Sequence, residues 1–377
     1  RATLTLGGGI QYANIPSSEY YSPWAYDFKI EAYGEVAGFG DKSGSYEKQW
    51  GDTSAIDYKV ITTTNDFFKS STYKFLTFPT PNAWPMGVIS TRDSILASAW
   101  LDDINFSGNT ALLTACYNPQ LNSFSTPILV AINDSGMTNQ SISLLPNKDI
   151  LISWAQLSIS RSEIDTSIMT IDDISKKQDI WIALIRPSTN TIIYRGKLTD
   201  NNNNRADGEP RIHWGNNNQG MITWQGGNNT YSDSDVYYSV IEDNGNGTYG
   251  LYAPQILSNT FGFNYNISVN YTTGNNAIAT WFNDPDMNPE TNNSDIYFSV
   301  WDGIGNWSTP DLRFAVAPGL EIKDHSMATN GLYGIEGLTY QYYTLDSTLI
   351  NGVYLGQWSN GNAVINDVVQ QYEDVTS

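Results

Sequence analysis

One order of events recurs along this chain and limits what it can fold into. A short apolar run closes on a tryptophan, a polar loop follows, and a second run rich in aromatic and β-branched residues begins. Residues 277–281 (AIATW) lead to 294–301 (SDIYFSVW), 222–224 (ITW) to 234–240 (SDVYYSV), 150–154 (ILISW) to 178–185 (QDIWIALI), and 95–100 (ILASAW) to 110–117 (TALLTACY). Runs of this length and composition read as strands, with hairpins between them. No segment sustains the apolar period of a long helix. Trp100, Trp154, Trp224 and Trp281 follow one another at intervals of 54, 70 and 57 residues. Four short strands repeated at that interval predict an all-β fold, a β-propeller of four-stranded blades.

The units fall near residues 85–136, 137–204, 205–260, 261–318 and 319–377, within a single domain. Residues 1–84 fit the repeat least well and are read as a divergent first blade, or a blade with an aromatic insertion at 12–24. That gives six blades, or seven if 1–84 holds two. A pair of β-sandwiches is the competing architecture, but sandwiches lack unit-by-unit recurrence.

Of 377 residues only 15% are charged, and the net charge is −20. The surface is therefore polar but sparsely charged, dominated by Asn, Gly, Ser, Thr and Tyr. No basic stripe exists to meet phosphates, so a nucleic-acid partner is not expected, nor is docking on an anionic membrane. No apolar run is long enough to span a bilayer. The single cysteine, Cys116, precludes an internal disulfide and reads as a buried, inert thiol. The chain opens on Arg1 rather than Met. That is the expectation for a processed, exported protein, and equally for a trimmed one.

Asp295-Ile-Tyr-Phe-Ser299, Asp302-Gly303 and Trp307-Ser-Thr-Pro310, with Asp235-Val-Tyr-Tyr-Ser239 after them, carry a family likeness. Over residues 85–318 the pattern resembles bacterial neuraminidase repeats, the sialidase-like propellers. The resemblance implies a fold. The family's Asp-box is out of register here, and none of the eight arginines recurs at one repeat position to build an arginine cluster for a substrate carboxylate.

In such a propeller the loops joining strands two and three, and those joining blade to blade, open on one face. Three groups of residues there could do chemistry. Asp284, Asp286, Asn288 and Glu290 stand at every second residue, the start of a calcium-loop spacing for Ca2+, with Pro289 where glycine usually follows; a solvated turn is the plainer reading. Residues 200–204 with Asp207 are a poorer candidate of the same kind. For hydrolysis, Glu209 could pair with Asp324 or Glu336 if the carboxylates lie about 5–9.5 Å apart. His213 stands eleven residues before Trp224, and His325 eleven before Glu336, which this spacing aligns with the tryptophans. Two histidines on innermost strands could bind a metal or haem, although lone hydrogen-bonded histidines are the ordinary case.

The repeated tryptophans are expected to pack between blades, leaving Trp24, Trp50 and Trp84 freer for contacts. Glycosylation sequons stand at Asn105, Asn133, Asn139, Asn228, Asn246, Asn292 and Asn306; those at Asn266 and Asn270 flank an inner strand. The resulting expectation is an extracellular or cell-surface propeller that binds glycans or surface proteins, or copies of itself. A sialidase-like glycoside hydrolase or lyase is the alternative.

Overall fold

The computed structural model describes short strands of the N-terminal region and, from Val88 on, all residues except 93–94, 104–108, 119–122, 201–204, 216–217, 228–232, 273, 288–293, 316–319, 330–332, 344–348, 360–364 and 377. Side chains are described chiefly between Ser90 and Ala315. Two compact units emerge, 1–88 with 98–132, and 89–97 with 133–377.

In the first unit β1 (Ile10–Tyr12), β2 (Asp27–Ala32) and β5 (Gly44–Gln49) form one sheet. The ribbons β3 (Glu35–Val36) with β4 (Gly40–Asp41), and β6 (Asp57–Val60) with β7 (Lys74–Thr77), are separate. The predicted strand at 2–6 and the side chains of Trp24, Trp50 and Trp84 lie outside the described residues. β8 (Val88–Arg92) lies mostly in the second unit, while β9 (Ile95–Asp103) carries the chain into the first. There β10 (Thr110–Asn118) pairs with β9, β11 (Ser123–Phe124) and β12 (Ile128–Asn133). Trp100 is fully buried in β9. Burial also pushes the Cys116 thiol up to about 11, so it carries no thiolate near neutral pH.

The second unit is a succession of antiparallel meanders. They are β13 (Met137–Leu144), β14 (Ile150–Leu157), β15 (Gln178–Arg186) and β16 (Thr191–Lys197); then β17 (Ala206–Trp214), β18 (Gln219–Gly227), β19 (Ser234–Asp243) and β20 (Tyr249–Leu251), with β21 (Gln255–Ser258) also on β19. Next come β22 (Phe263–Tyr271), β23 (Ala277–Asp284), β24 (Asp295–Trp301) and β25 (Asp311–Phe314). Last are β26 (Leu320–Thr329), β27 (Tyr333–Tyr343), β28 (Leu349–Ser359) and β29 (Ile365–Thr376). A short α-helix, α1 (Ile171–Ser175), sits between β14 and β15, started by a Thr170–Asp173 capping box.

Each first strand lies against the sheet before it: β17 against β13 and β14, β22 against β17 and β18, β26 against β22. Face-to-face stacking of consecutive four-stranded sheets is propeller packing, and the fold is an all-β propeller. The period-2 alternation of the strands explains it. Ile222, Trp224, Tyr237 and Ile241 pack with Leu151, Ile180 and Leu184 of the preceding sheet. Their neighbours Met221, Val236, Tyr238 and Val240 turn the other way, onto Val269, Trp281 and Trp301 of the next. The recurring tryptophans therefore fill the seams, with Trp154, Trp224 and Trp281 all at or below 1% exposure. Across the hairpin each meets an aromatic partner in register, Trp154 with Trp181, Trp224 with Tyr237, Trp281 with Tyr297. These rings stack at 5.9–6.4 Å.

Register corrects the alignment of the last sheet. Ser153, Thr223 and Thr280, each just before its tryptophan, pair with Ser141, Arg211 and Ser268 beyond a bulge. In the last sheet the residue so placed is Thr339, paired with Asp324. Tyr340, not Glu336, therefore takes the tryptophan's place, and it packs onto Phe282 and Ile296 of the preceding sheet as that position requires.

Candidate functional site

The first strands of three sheets share a bulge with one residue in the left-handed region. These residues are Asn139 (φ 52°), Glu209 (φ 51°) and Asn266 (φ 53°). The bulges interrupt pairing between Thr138 and Ser141, Gly208 and Arg211, and Tyr265 and Ser268. All three residues stand fifteen positions before their tryptophan, a spacing visible in the sequence itself. Asn139 and Glu209 are exposed and Asn266 half-exposed. Asn tolerates this backbone because its short amide bonds locally; Glu does not, and its presence costs about 1–2 kcal/mol.

Around Glu209 the ends of the strands gather further polar groups. Tyr265 donates its hydroxyl to Ser294 Oγ at 2.9 Å and stacks on Phe282 at 5.2 Å. Burial raises its phenol above the ordinary range, and the charges of Asp284, Glu321 and Glu209 add to that rise. Asp284 is buried, and its Oδ1 accepts the backbone N–H groups of Asp286 and Met287, both at 3.2 Å. Desolvation, then Asp286 close by, hold its carboxyl above the usual carboxylate value. Asn288 and Glu290, the other half of the calcium-loop spacing, lie outside the described residues. No group of three metal-ligating side chains occurs among the described residues.

On the same ends of the neighbouring strands, cations cap the aromatic stacks. Arg205 lies 3.8 Å over Tyr237 and donates to the buried Asp207 at 2.6 Å. Lys197 lies 5.9 Å over Trp181 and donates to Asp179 at 2.8 Å. Asp207, expected to be a possible ligand, is thus held in an ion pair.

The carboxylate pairs proposed for hydrolysis fare differently. Glu336 is four strand residues from Tyr340, about 13 Å towards the opposite end of the sheet from the bulges. Glu209 and Glu336 therefore cannot flank one glycosidic bond. Asp324 lies on β26, two sheets from Glu209, and its side chain is outside the described residues.

The histidines do not occupy equivalent positions. His213 pairs with Met221, whereas His325 pairs with Leu338, one step nearer the tryptophan level, and one step reverses the face. His213 Nδ1 accepts the N–H of Val269 at 3.3 Å, which places the ring proton on Nε2, 3.1 Å from Thr223 Oγ1. Burial, then the nearby Arg211, push its pKa down to about 3. Both ring nitrogens are committed, so no lone pair remains for the metal or haem that position alone allowed. His213 is a staple between sheets, as is Ser141, whose Oγ accepts Ile212 N–H at 3.0 Å. His325 is buried edge-on against Phe282 at 6.4 Å.

Among the sequons, Asn139, Asn246 and Asn306 are exposed, the last donating Nδ2 to Asp302 at 2.8 Å. Asn133 is half-buried, with Oδ1 accepting Ser135 N–H at 2.6 Å and Nδ2 donating to Leu157 O at 3.3 Å. Asn105, Asn228 and Asn292 lie outside the described residues.

A second polar group was not foreseen. Asp149, Arg186 and Tyr249 meet at the other ends of the strands, where turns of two adjacent sheets border a cavity of about 260 Å3.

No family model matches the chain, and no curated protein matches it. Solved structures do. A polysaccharide lyase, PL25 ulvan lyase, is similar over 93% of this chain and 83% of its own, with TM-score 0.48 and 10% identity. The K499G mutant of NanB sialidase from Streptococcus pneumoniae is similar over 97% and 92%, with TM-score 0.43 and 9% identity. An α-L-arabinanase of Penicillium chrysogenum complexed with arabinobiose is similar over 78% and 93%, with TM-score 0.40 and 10% identity. These are likenesses of fold, and the fold of this chain, read from its own sheets and seams, is an all-β propeller.

Proposed function

We propose that this chain is an extracellular carbohydrate-binding propeller, with recognition centred on Glu209 and the bulged first strands. The observation that supports the reading is the broken symmetry at the bulge. Two sheets carry Asn where the backbone favours it, and the sheet between them carries Glu at a local cost. An exposed carboxylate flanked by amides at equivalent positions offers paired acceptors and donors of the kind sugar hydroxyls use. Asp284, Asp286 and Glu321 keep this end of the sheets acidic, which favours uncharged sugars over uronates or sialates. Asp284 contributes a calcium site in this reading only if the rest of its loop closes on the ion.

The test is a glycan array read with the parent protein and Glu209→Asn. The substitution relieves the backbone and should raise stability by about 0.5–1 kcal/mol. It should also abolish binding to the glycans the parent retains. Binding that survives the change, or a parent that retains no glycan, refutes the proposal. Oligosaccharides released from the same panel by the parent but not the variant would establish the hydrolase or lyase alternative.

A further inference from the structure

We infer that the cavity between the β13–β14 and β15–β16 turns of one sheet and the β19–β20 turn of the next is a second binding site, for a single neutral sugar unit or a polyol of that size. The cavity is lined by Asn147, Asp149, Arg186, Ser188, Asp243 and the glycines at 245 and 247.

Its floor is a fixed guanidinium. Arg186 donates Nε to Asp149 Oδ1 at 3.1 Å and Nη2 to Asp149 Oδ2 at 2.8 Å, a bidentate fork. Nη2 also reaches Gly247 O at 3.3 Å. Asp149, only 3% exposed, also accepts Tyr249 Oη at 2.9 Å and Asn147 Nδ2 at 3.2 Å, both on Oδ2. Asn147 Nδ2 further donates to Tyr249 Oη at 2.6 Å. The fork from Asp149 holds Arg186 still. Nη1 of Arg186 has no hydrogen-bond acceptor among the described residues, and Arg186 lines the cavity.

Asp243, 9% exposed, also lines the cavity. Its Oδ1 accepts Gly245 N–H at 2.8 Å, and its Oδ2 has no donor among the described residues. The turn carrying it is held open by Gly245 and Gly247, both at φ 78°, which only glycine adopts without strain. A Cβ on Gly247 would approach Arg186 Nη2 to 3.1 Å, so that glycine also makes room for the fork.

A donor and a carboxylate facing one small space suit a vicinal diol: one hydroxyl donates to Asp243 while its neighbour accepts from Arg186. Two carboxylates against one guanidinium disfavour an anionic sugar, and the guanidinium disfavours a metal cation. Ser188 at the mouth supplies a further hydroxyl.

The experiment is saturation-transfer NMR and calorimetric titration of the whole protein with methyl glycosides of neutral hexoses, pentoses and uronic acids. A neutral glycoside should bind with a Kd of about 1 mM, and uronates more weakly. Asp243→Asn, which keeps the bond to Gly245, should weaken binding at least tenfold. Ser188→Trp, placed at the exposed mouth, should block it and serves as the second variant if the first fails to fold. Glu209→Asn should leave it unchanged, which separates this site from the bulge site. No neutral glycoside bound by the parent, or equal binding by parent and Asp243→Asn, overturns the inference.

Discussion

Replacing His213 by Asn, the residue at the equivalent place in the next sheet (Asn270), tests the seam between β17 and β22. The imidazole accepts Val269 N–H, and a shorter amide leaves that buried donor unpaired. The cost at pH 7.5 should be about 1–3 kcal/mol. The pH dependence is the sharper part. The folded-state pKa of His213 is held at about 3, against 6.5 unperturbed. The unfolded chain therefore takes up a proton first, and stability conferred by the neutral ring is complete above pH 6.5. It declines below that value, at about 1.4 kcal/mol per pH unit, until the folded state protonates near pH 3. At pH 5 the parent should have lost about 2 kcal/mol through this group alone, a loss the variant does not suffer. The stability gap measured at pH 7.5 should therefore close, or reverse, by pH 5. Urea titrations followed by the fluorescence of the twelve tryptophans provide the assay. Other titrating groups cancel in the difference. Parallel stability curves for the two proteins between pH 5 and 7.5 would refute the assignment of His213 as a half-buried neutral staple.

Trp281→Ala and Trp224→Ala should each cost about 3–5 kcal/mol by thermal or urea unfolding, since both rings are fully buried in a seam. Asp149→Leu should cost about 2–3 kcal/mol, less than a wholly buried pair because the Arg186 side chain is 33% exposed. Calcium should raise the melting temperature of the parent, and Asp284→Asn should remove the rise; no calcium response in the parent would discard the loop as an ion site.

Much of the fold could be read before any coordinates because its signals are local. A tryptophan closing the second strand and an aromatic two residues into the third are cross-strand partners, so Trp281 and Tyr297 announce one hairpin and one seam at once. The misplacement of Glu336 has the opposite cause. The hairpin beyond the bulge is longer in the last sheet: Asp324 and its partner Thr339 stand 15 residues apart (339 − 324), against 12 for Arg211 and Thr223 (223 − 211), and a count along the chain cannot register that. That slip carried His325 onto the wrong face. Glu209 was legible as an acidic residue but not as a strained one, because its φ depends on pairing across the hairpin. The cavity escaped because Asn147 and Tyr249 meet across 102 residues. Its turns also lie at the strand ends opposite those where ligand loops were expected.

Because Trp224 and Tyr237 pack against the preceding sheet while Met221 and Tyr238 pack against the following one, no blade owns its interior. Excising one repeat would strip two oily surfaces bare and leave the excised piece without a core of its own. Evolution of such a chain by gain or loss of a repeat must then preserve how one blade fits the next rather than any single blade, and variation is freest in the connecting loops.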